Sequence, residues 1–163
     1  MAHVLAIYLL MAAPVPAFAA AERVAFVTTA LPGTVVVQTA ERRLYLILPD
    51  GLALRYVVGV GRDGRQWSGA SRIAAKFLRP NWVPPAEIRR DNPALPAKIP
   101  GGSSANPMGA AAMTLSGTNY AIHGTNAPES IGGFVSYGCI RMYNADIMDL
   151  YNRVQVGATV LVR

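Results

Sequence analysis

Cysteine, histidine and lysine are scarce in this sequence, and their scarcity excludes several classes of protein. The 163 residues include one cysteine, Cys139, two histidines, and only Lys76 and Lys98 as lysines. A single cysteine cannot form an internal disulfide, which excludes a fold stabilised by disulfide bonds. His3 lies in the N-terminal segment, so one cysteine and one histidine remain for the folded domain. These are too few for the three or four ligands of a zinc site, and we expect no metal.

Charged residues are also few, at 15%, whereas hydrophobic residues make up 52%. This composition predicts a folded chain rather than a disordered one, and the length suits a single domain. The net charge of +6 and the pI of about 9.9 are compatible with an anionic polymer as partner. Basic residues cluster only as the pairs Arg42-Arg43 and Arg89-Arg90. An ordinary basic surface is therefore favoured over a nucleic-acid site.

The first 19 residues have the pattern of a secretory signal. An apolar run from Val4 to Ala13 is followed by two prolines and by the small-x-small sequence Ala17-Phe18-Ala19. The run is too short to span a membrane. No lysine or arginine precedes it, which leaves open that the segment stays uncleaved as an anchor. We therefore predict export, with no membrane span beyond this segment.

The first half of the remaining chain predicts strands followed by a long loop region. Residues 22–31 form a short lead-in. Three β-branched or apolar runs, separated by turn residues, predict an antiparallel meander at 34–38, 43–48 and 52–60. The stretch at 61–109 is rich in glycine and proline, and we expect a functional loop region with short strands there.

The second half predicts further strands and one helix. Strands are expected at 113–115, 120–122 and 159–162. Asn144 is the expected N-cap of an amphipathic helix. Four apolar residues at helical spacing would form its buried face: Ile147, Leu150, Tyr151 and Val154. The prediction is a mainly β domain with one clear helix.

The cysteine and histidine of the domain, Cys139 and His123, lie sixteen positions apart. A thiol needs a nearby base because the thiolate is the nucleophile, and imidazole is a natural base near neutral pH. Cys139 follows a glycine in a glycine-rich loop, where the backbone can approach a ligand. The two residues are therefore candidates for a Cys/His nucleophilic pair. The alternative is a small buried hydrophobe and a hydrogen-bonded structural histidine.

Two sequence blocks surround this pair. They are His123-Gly124-Thr125-Asn126 and, nine residues later, Ser136-Tyr137-Gly138-Cys139-Ile140-Arg141-Met142-Tyr143. Together they resemble the active-site signature of the L,D-transpeptidases, a His-Gly followed by Ser-x-Gly-Cys-Ile-Arg-Met. The similarity extends to upstream blocks: Gly59-Val60-Gly61, Trp67-Ser68-Gly69, Pro80 to Pro85 and Ile99 to Gly102. The resemblance implies a catalytic domain at 34–163 with the family's β-sandwich-like mixed sheet and one or two helices.

The resemblance assigns the chemistry to four positions. Cys139 would be the nucleophile that forms a thioester acyl-enzyme, and His123 the base that takes the thiol proton and later activates the acceptor amine. The backbone carbonyl of Gly124 would orient the imidazole. Backbone N–H groups around Gly138 and Cys139 would hold the oxyanion. No metal or organic cofactor is implied.

Five further residues are predicted to line the substrate site, and several have a structural alternative. Arg141 suits a substrate carboxylate, and an internal ion pair is the alternative. Ser136 is favoured as support for the Cys loop. Asn126 lines the pocket or forms a turn, and Trp82 contacts substrate or packs between its prolines. Tyr137 stands where many relatives carry a second histidine, which removes a rival base.

The resemblance implies a periplasmic enzyme that acts on peptidoglycan stem peptides. The donor would be a tetrapeptide stem cut at its terminal D-residue. The acceptor would be a diaminopimelate amine, which gives a 3→3 cross-link, or a lysine of an envelope protein. With water as acceptor, the same residues would make a hydrolytic L,D-carboxypeptidase or amidase. A non-catalytic wall-binding module is the alternative of a different class, but a binder has no need of both Cys139 and His123.

Overall fold

The computed structural model describes residues 21–163, so the signal predicted at 1–19 lies outside the described residues. The described part is mainly β, with helices α1 (Ala86–Asp91) and α2 (Asn144–Arg153) and a 3-10 turn at Pro128–Ser130. The strands are β1 (Glu22–Ala25), β2 (Val35–Gln38), β3 (Arg43–Ile47), β4 (Leu52–Val57), β5 (Val60–Gly61), β6 (Gly69–Leu78), β7 (Ala111–Leu115), β8 (Ala121–His123), β9 (Phe134–Ser136), β10 (Ile140–Arg141) and β11 (Thr159–Val162).

Nine of these strands form one mixed sheet, in the order β1-β4-β3-β2-β11-β6-β7-β8-β10. Neighbouring strands are antiparallel, except for the pairs β2–β11 and β8–β10, which are parallel. Strands β5 and β9 form a separate parallel pair. The predicted fold class, mainly β with a mixed sheet and one or two helices, is confirmed.

The ten-residue strand β6 connects two parts of the sheet. Its first residues, from Gly69 to Arg72, pair with β11, and the residues from Ile73 to Leu78 pair with β7. The register shifts between Ile73 and Ala75, and an irregularity of this kind bends a strand. Strand β6 thereby joins the meander at the start of the chain to the strands β7, β8 and β10.

One hydrophobic cluster packs both parts of the sheet against α2. Its fully buried members include Val35, Leu44, Met113, Ile122, Ile140, Ile147 and Leu150. Complete burial of side chains of this size contributes about 1.5–3 kcal/mol each. Because β8 and β10 each place an isoleucine in this cluster, the core holds these two neighbouring strands in place.

Clear periodicity gave correct predictions. The meander pairs antiparallel in the order β2, β3, β4, the predicted strand at 159–162 is β11, and the predicted helix is α2. The third strand, predicted at 52–60, ends at Val57 instead, and Val60 belongs to β5, which pairs with β9. Elements with weak periodicity were not predicted. The lead-in contains β1, which pairs with β4. The region 61–109 carries the longest strand, β6, and helix α1 as well as loops. In β6 only Ile73 is fully buried, so the strand lacks the alternation that would reveal it.

The prediction of Asn144 as N-cap was wrong. Tyr143 is the N-cap, and Asn144 is the first residue of α2. Its Oδ1 accepts hydrogen bonds from the backbone N–H groups of Ala110 (3.0 Å) and Thr125 (3.1 Å), and its Nδ2 donates to the Thr125 carbonyl (2.9 Å). The amide side chain therefore ties the start of α2 to the segment that follows β8.

Candidate active site

Two neighbouring parallel strands, β8 and β10, carry the candidate side chains. Ile140 pairs with Ile122, and Arg141 pairs with His123. Alternate side chains of a strand point to opposite faces, so Cys139, Arg141 and His123 share one face while the two isoleucines point into the core. The three polar residues line one cleft of about 390 Å³. Strand pairing thus places the thiol, the imidazole and the guanidinium around the same space.

His123 is buried and held by the carbonyl of the next residue, with Nδ1 2.6 Å from the oxygen of Gly124. A carbonyl only accepts hydrogen bonds, so Nδ1 carries the hydrogen, and Nε2 is the proton acceptor of the neutral ring. Burial lowers the pKa of His123 from 6.5 to about 4, although the carbonyls of Gly124 and Pro107 favour the protonated ring. The imidazole is therefore neutral at pH 7 and able to accept a proton.

The resting state of Cys139 is the protonated thiol. Burial raises the pKa of this thiol, whereas the backbone N–H of Ala121 and the charge of Arg141 lower it, and the net shift is upward. A neutral thiol beside a neutral imidazole has to lose its proton as it reacts. These protonation states would suit general-base activation of the thiol rather than a preformed thiolate.

Arg141 brings a positive charge that has no acidic partner among residues 21–163. None of the ion pairs in this range includes it, and its Nε is buried without a hydrogen-bond partner. Burial also lowers the pKa of Arg141. The internal ion pair considered from the sequence is thus not formed in the described part of the chain. An anion entering the cleft would meet an uncompensated guanidinium.

The turn that precedes the thiol is held by Ser136. Its Oγ donates to the carbonyl of Cys139 (2.6 Å) and accepts from the N–H of Gly138 (3.1 Å). Gly138 has a φ of +123°, and a Cβ at this position would collide with the ring of Tyr120, so only glycine fits. The Gly138 N–H, predicted as an oxyanion donor, is engaged by Ser136. The N–H of Cys139 is left without an acceptor among the described residues.

A segment containing α1 forms part of the wall of the cleft. Pro85 and Ile88 line the cleft together with Trp82 and Tyr137. The hydroxyl of Tyr137 donates a hydrogen bond of 2.6 Å to Asp91. Helix α1 is thereby joined to the residue two positions before the candidate nucleophile.

Two arginines from the loop after β5 reinforce this connection. Arg62 pairs with Asp91 (3.3 Å) and Arg65 pairs with Glu87 (2.5 Å). Both guanidinium groups also face the ring of Tyr137, at 4.0 and 5.6 Å from its centroid. Partly exposed ion pairs are individually weak. Together with the cation–π contacts they nevertheless give α1 several links to the wall of the cleft.

The structure brings most of the predicted site residues together. Those that line the cleft are Trp82, His123, Ser136, Tyr137, Cys139 and Arg141. Asn126 does not join them. It lines a neighbouring cavity of about 430 Å³ with Thr125 and Tyr143, and its Nδ2 donates to the carbonyl of Ser104 at 3.3 Å.

Sequence reasoning missed two aromatic residues beside the Cys loop. The indole N–H of Trp67 donates to the carbonyl of Gly138 (2.9 Å). Its ring stacks on Tyr120, with centroids 5.4 Å apart and an interplanar angle of 21°. Trp67 lies in a block that resembles the family, which is the only signal the sequence offers for it. Its partner is distant in the chain, so no local pattern predicts the bond.

Two further features concern residues 21–163 as a whole. Within this range, no group of three His, Cys, Asp or Glu side chains is placed to share a metal ion. None of the helices in the same range is long and apolar enough to cross a membrane.

The fold and the cleft define a mixed-β domain with a cysteine–histidine site between parallel strands. The profile of the YkuD family, the L,D-transpeptidase catalytic domain, matches residues 32–162. The chain belongs to this family. Membership extends over nearly the whole of the described structure.

Curated relatives have similar sequences. The Escherichia coli protein ErfK/SrfK, described as a probable L,D-transpeptidase, is 41% identical over 143 residues, which cover 81% of this chain and 46% of the relative. YkuD of Bacillus licheniformis is 49% identical over 132 residues, which cover 81% of this chain and 66% of the relative. The chain thus spans about half the length of its ErfK/SrfK relatives.

Solved structures of L,D-transpeptidases share the fold. L,D-transpeptidase 3 from Mycobacterium tuberculosis superposes with a TM-score of 0.62 at 16% identity, over 80% of this chain and 60% of that one. The catalytic domain of the Enterococcus faecium enzyme, solved in a form acylated by ertapenem, gives a TM-score of 0.60 at 18% identity. This match covers 80% of the present chain and 95% of the E. faecium domain. At such identities the similarity establishes the fold.

Proposed function

We propose that this domain is an L,D-transpeptidase that acts on peptidoglycan stem peptides through Cys139. The observation that carries the proposal is the placement of Cys139, His123 and Arg141 on one face of two paired strands, around one cleft. Relatives described as L,D-transpeptidases support the class of reaction. The ertapenem-acylated form of the E. faecium domain supports covalent chemistry on this fold.

Acylation begins when Nε2 of His123 takes the proton of the Cys139 thiol. The sulfur attacks the carbonyl carbon before the terminal D-residue of the donor tetrapeptide, and the carbonyl electrons move to oxygen. The oxyanion collapses, the C–N bond breaks, and His123 returns its proton to the leaving amine. The D-residue departs and a thioester on Cys139 remains. The carbonyl of Gly124 keeps the imidazole in the tautomer that this sequence of steps requires.

Arg141 is the group we assign to a substrate carboxylate. Its guanidinium is unpaired in the described part of the chain, and its planar fork suits bidentate binding of a carboxylate. The same charge lowers the pKa of the Cys139 thiol, so it also stabilises the negative charge that develops on sulfur. Trp82 is assigned to substrate contact, because its side chain lines the cleft.

Deacylation decides the product. An amine of a second stem peptide, deprotonated by His123, attacks the thioester carbonyl and the C–S bond breaks, which restores the thiol. A diaminopimelate amine gives a 3→3 cross-link, and a lysine amine attaches an envelope protein. Water in place of the amine gives hydrolysis with the same residues. We place this reaction in the periplasm, on the basis of the secretory pattern in residues 1–19.

The first test is intact-mass spectrometry of the folded protein after incubation with a carbapenem. The lactam carbonyl takes the place of the donor carbonyl, and ring opening leaves the whole drug attached to sulfur. We expect one adduct of the drug's mass on the wild-type protein and none on the Cys139→Ala variant. A folded wild-type protein that stays unmodified would overturn the proposal and favour a wall-binding module.

A second experiment separates transfer from hydrolysis. The protein is incubated with disaccharide tetrapeptides, and the products are resolved by mass. Transfer predicts cross-linked dimers that have lost one D-residue, whereas hydrolysis predicts monomeric tripeptides. The Cys139→Ala variant should form neither product. The His123→Gln variant should form them much more slowly than the wild-type protein, because general-base catalysis contributes roughly 10²- to 10⁴-fold.

A further inference from the structure

Trp67 contacts the backbone of the Cys loop from outside the cleft. Its indole N–H donates to the carbonyl of Gly138 at 2.9 Å, yet Trp67 is not among the residues that line the cleft. Its ring stacks on Tyr120, which does line the cleft and which closely approaches Gly138. Trp67 therefore contacts the site in two ways, through its ring on Tyr120 and through its hydrogen bond to the peptide unit that joins Gly138 to Cys139.

This peptide unit has a carbonyl at one edge and the N–H of Cys139 at the other. A trans peptide is planar, so its C=O and N–H point in opposite directions. A hydrogen bond that fixes the Gly138 carbonyl toward Trp67 consequently fixes the Cys139 N–H away from Trp67. Rotation of the peptide would break the bond to the indole.

The hydrogen bonds of this turn leave the N–H of Cys139 unengaged. Ser136 engages the N–H of Gly138 and the carbonyl of Cys139, and Trp67 engages the carbonyl of Gly138. The N–H of Cys139 has no acceptor among the described residues. A donor that belongs to the nucleophile itself is suitably placed to meet the oxygen of a carbonyl that its sulfur attacks.

We propose that Trp67 is a positioning residue that holds the Gly138–Cys139 peptide with the Cys139 N–H directed at the developing oxyanion. The inference rests on the proposed function, because the oxyanion belongs to the acyl transfer described above. Trp67 contributes by limiting the rotation of the donor, so that no reorganisation is needed as charge develops on oxygen.

The test compares two reactions of the same thiol. Acylation by a carbapenem forms an S–C bond at a carbonyl, passes through an oxyanion and breaks the lactam C–N bond. Alkylation by iodoacetamide forms an S–C bond at a saturated carbon and releases iodide and a proton, without an oxyanion. The ratio of the two rates therefore isolates oxyanion stabilisation from access to the thiol and from its ionisation.

Trp67→Phe keeps an aromatic ring against Tyr120 but removes the N–H. Replacement of Trp67 by 3-benzothienylalanine removes the N–H and keeps the full ring shape, which guards against a variant that fails to fold. For both variants we expect acylation to slow by about 10- to 100-fold, somewhat less than the loss of a whole oxyanion donor, while alkylation stays within about twofold. Tyr45→Phe is the matched control. It removes a hydrogen bond that the phenolic hydroxyl donates to Glu41, outside the cleft, and it should change neither rate.

Equal losses in both reactions, or no loss of acylation, would overturn the positioning role. A measurement that needs no reaction separates this outcome from failure of the proposed function. In amide NMR spectra, Trp67→Phe should shift the Cys139 N–H resonance clearly, and Tyr45→Phe should not. An unmoved Cys139 resonance rules out the inference even if the wild-type protein is acylated. If the Cys139 resonance shifts but no carbapenem acylates the wild-type protein, Trp67 still restrains the peptide. That result would overturn both the oxyanion role and the transpeptidase activity.

Discussion

His123 and Arg141 are paired across the neighbouring strands β8 and β10, so an imidazole and a guanidinium leave the sheet on the same face. Burial is the larger cause of the lowered pKa of His123, and the charge of Arg141 lowers it further. The same charge lowers the pKa of Cys139 against the effect of burial. The charge of Arg141 thus adds to the effect of burial on His123 and opposes the effect of burial on Cys139.

Replacement of Arg141 by Gln should raise the pKa of His123, because the repulsion between two cations is removed. The pKa of Cys139 should rise as well, because the thiolate loses a favourable charge. We expect acylation by a carbapenem to slow by about tenfold or more. Imidazole NMR titration measures the first effect, with Arg55→Gln as control on a surface ion pair. A His123 pKa that falls, or stays as in the wild-type protein, contradicts this account.

Protonation of His123 should not affect the rate of acylation at pH 6 and above. With a folded-state pKa of about 4, His123 is neutral at pH 6 and only begins to be protonated near pH 5. We expect the rate to keep its histidine-dependent component down to about pH 5 and to lose half of it near pH 4. Stopped-flow acylation at a series of pH values, with folding checked by circular dichroism, provides the measurement. A midpoint near 6.5 would mean that the imidazole is solvated in the reacting state.

Asp146 should lower the stability of the protein at neutral pH. It is 4% exposed, its Oδ2 has no hydrogen-bond partner among the described residues, and burial followed by the charge of Asp149 raises its pKa from 3.8 to about 6. The Asp146 carboxyl binds its proton more tightly in the folded state than in the unfolded chain. The protonated carboxyl therefore contributes its full stabilisation below pH 3.8, and this stabilisation is lost as the pH rises through 6. Asp146→Asn should therefore stabilise the protein at pH 7.5 by about 1 kcal/mol. This is less than the ~3 kcal/mol that the full difference in pKa would give, because the N-terminus of the helix favours the charged carboxylate.

Urea unfolding at pH 7.5 and at pH 4 measures this difference, and the gain should vanish at pH 4. Asp149→Asn is the matched control on the same helix. Hydrogen bonds from Arg153 and from Tyr56 help to lower the pKa of Asp149, so its replacement should destabilise the protein at pH 7.5. If both variants are destabilised at that pH, the interpretation of Asp146 is wrong.

Tyr137→Phe should loosen α1 without unfolding the sheet. The variant loses the 2.6 Å hydrogen bond to Asp91, while the ion pair between Arg65 and Glu87 remains. We expect amide hydrogens of α1, such as the Arg89 N–H bonded to Pro85, to exchange several-fold faster. Hydrogen-exchange mass spectrometry is the measurement, and Tyr45→Phe serves as the aromatic control. Unchanged exchange in α1 would show that the arginine contacts alone hold this segment.

Local sequence patterns were sufficient for elements with strong periodicity. The apolar runs of β2 to β4 and of β11 are bounded by turn residues, and the apolar residues of α2 recur at helical spacing, so both patterns can be recognised in short stretches of sequence. The scarcity of cysteine and histidine likewise singled out Cys139 and His123 before any geometry was known. The resemblance to the family then supplied an expected partner for the histidine in the carbonyl of Gly124.

Tertiary structure decided the features that depend on distant or backbone groups. Strand β6 is mostly exposed and forms because β11 and β7 pair with its two ends. Asn144 has the residue type of a cap but finds better partners in Ala110 and Thr125. Tyr137 is held by Asp91 from a different segment of the chain.

The same division applies to the site. The sequence by itself determined which side chains could act, because nucleophile and base are properties of residue types. Only the fold determined that Arg141 is unpaired in the described chain, that Asn126 lies in another cavity, and that Trp67 binds the carbonyl of Gly138. These outcomes depend on burial and on hydrogen bonds between residues far apart in the chain, and such contacts leave no periodic trace in a sequence.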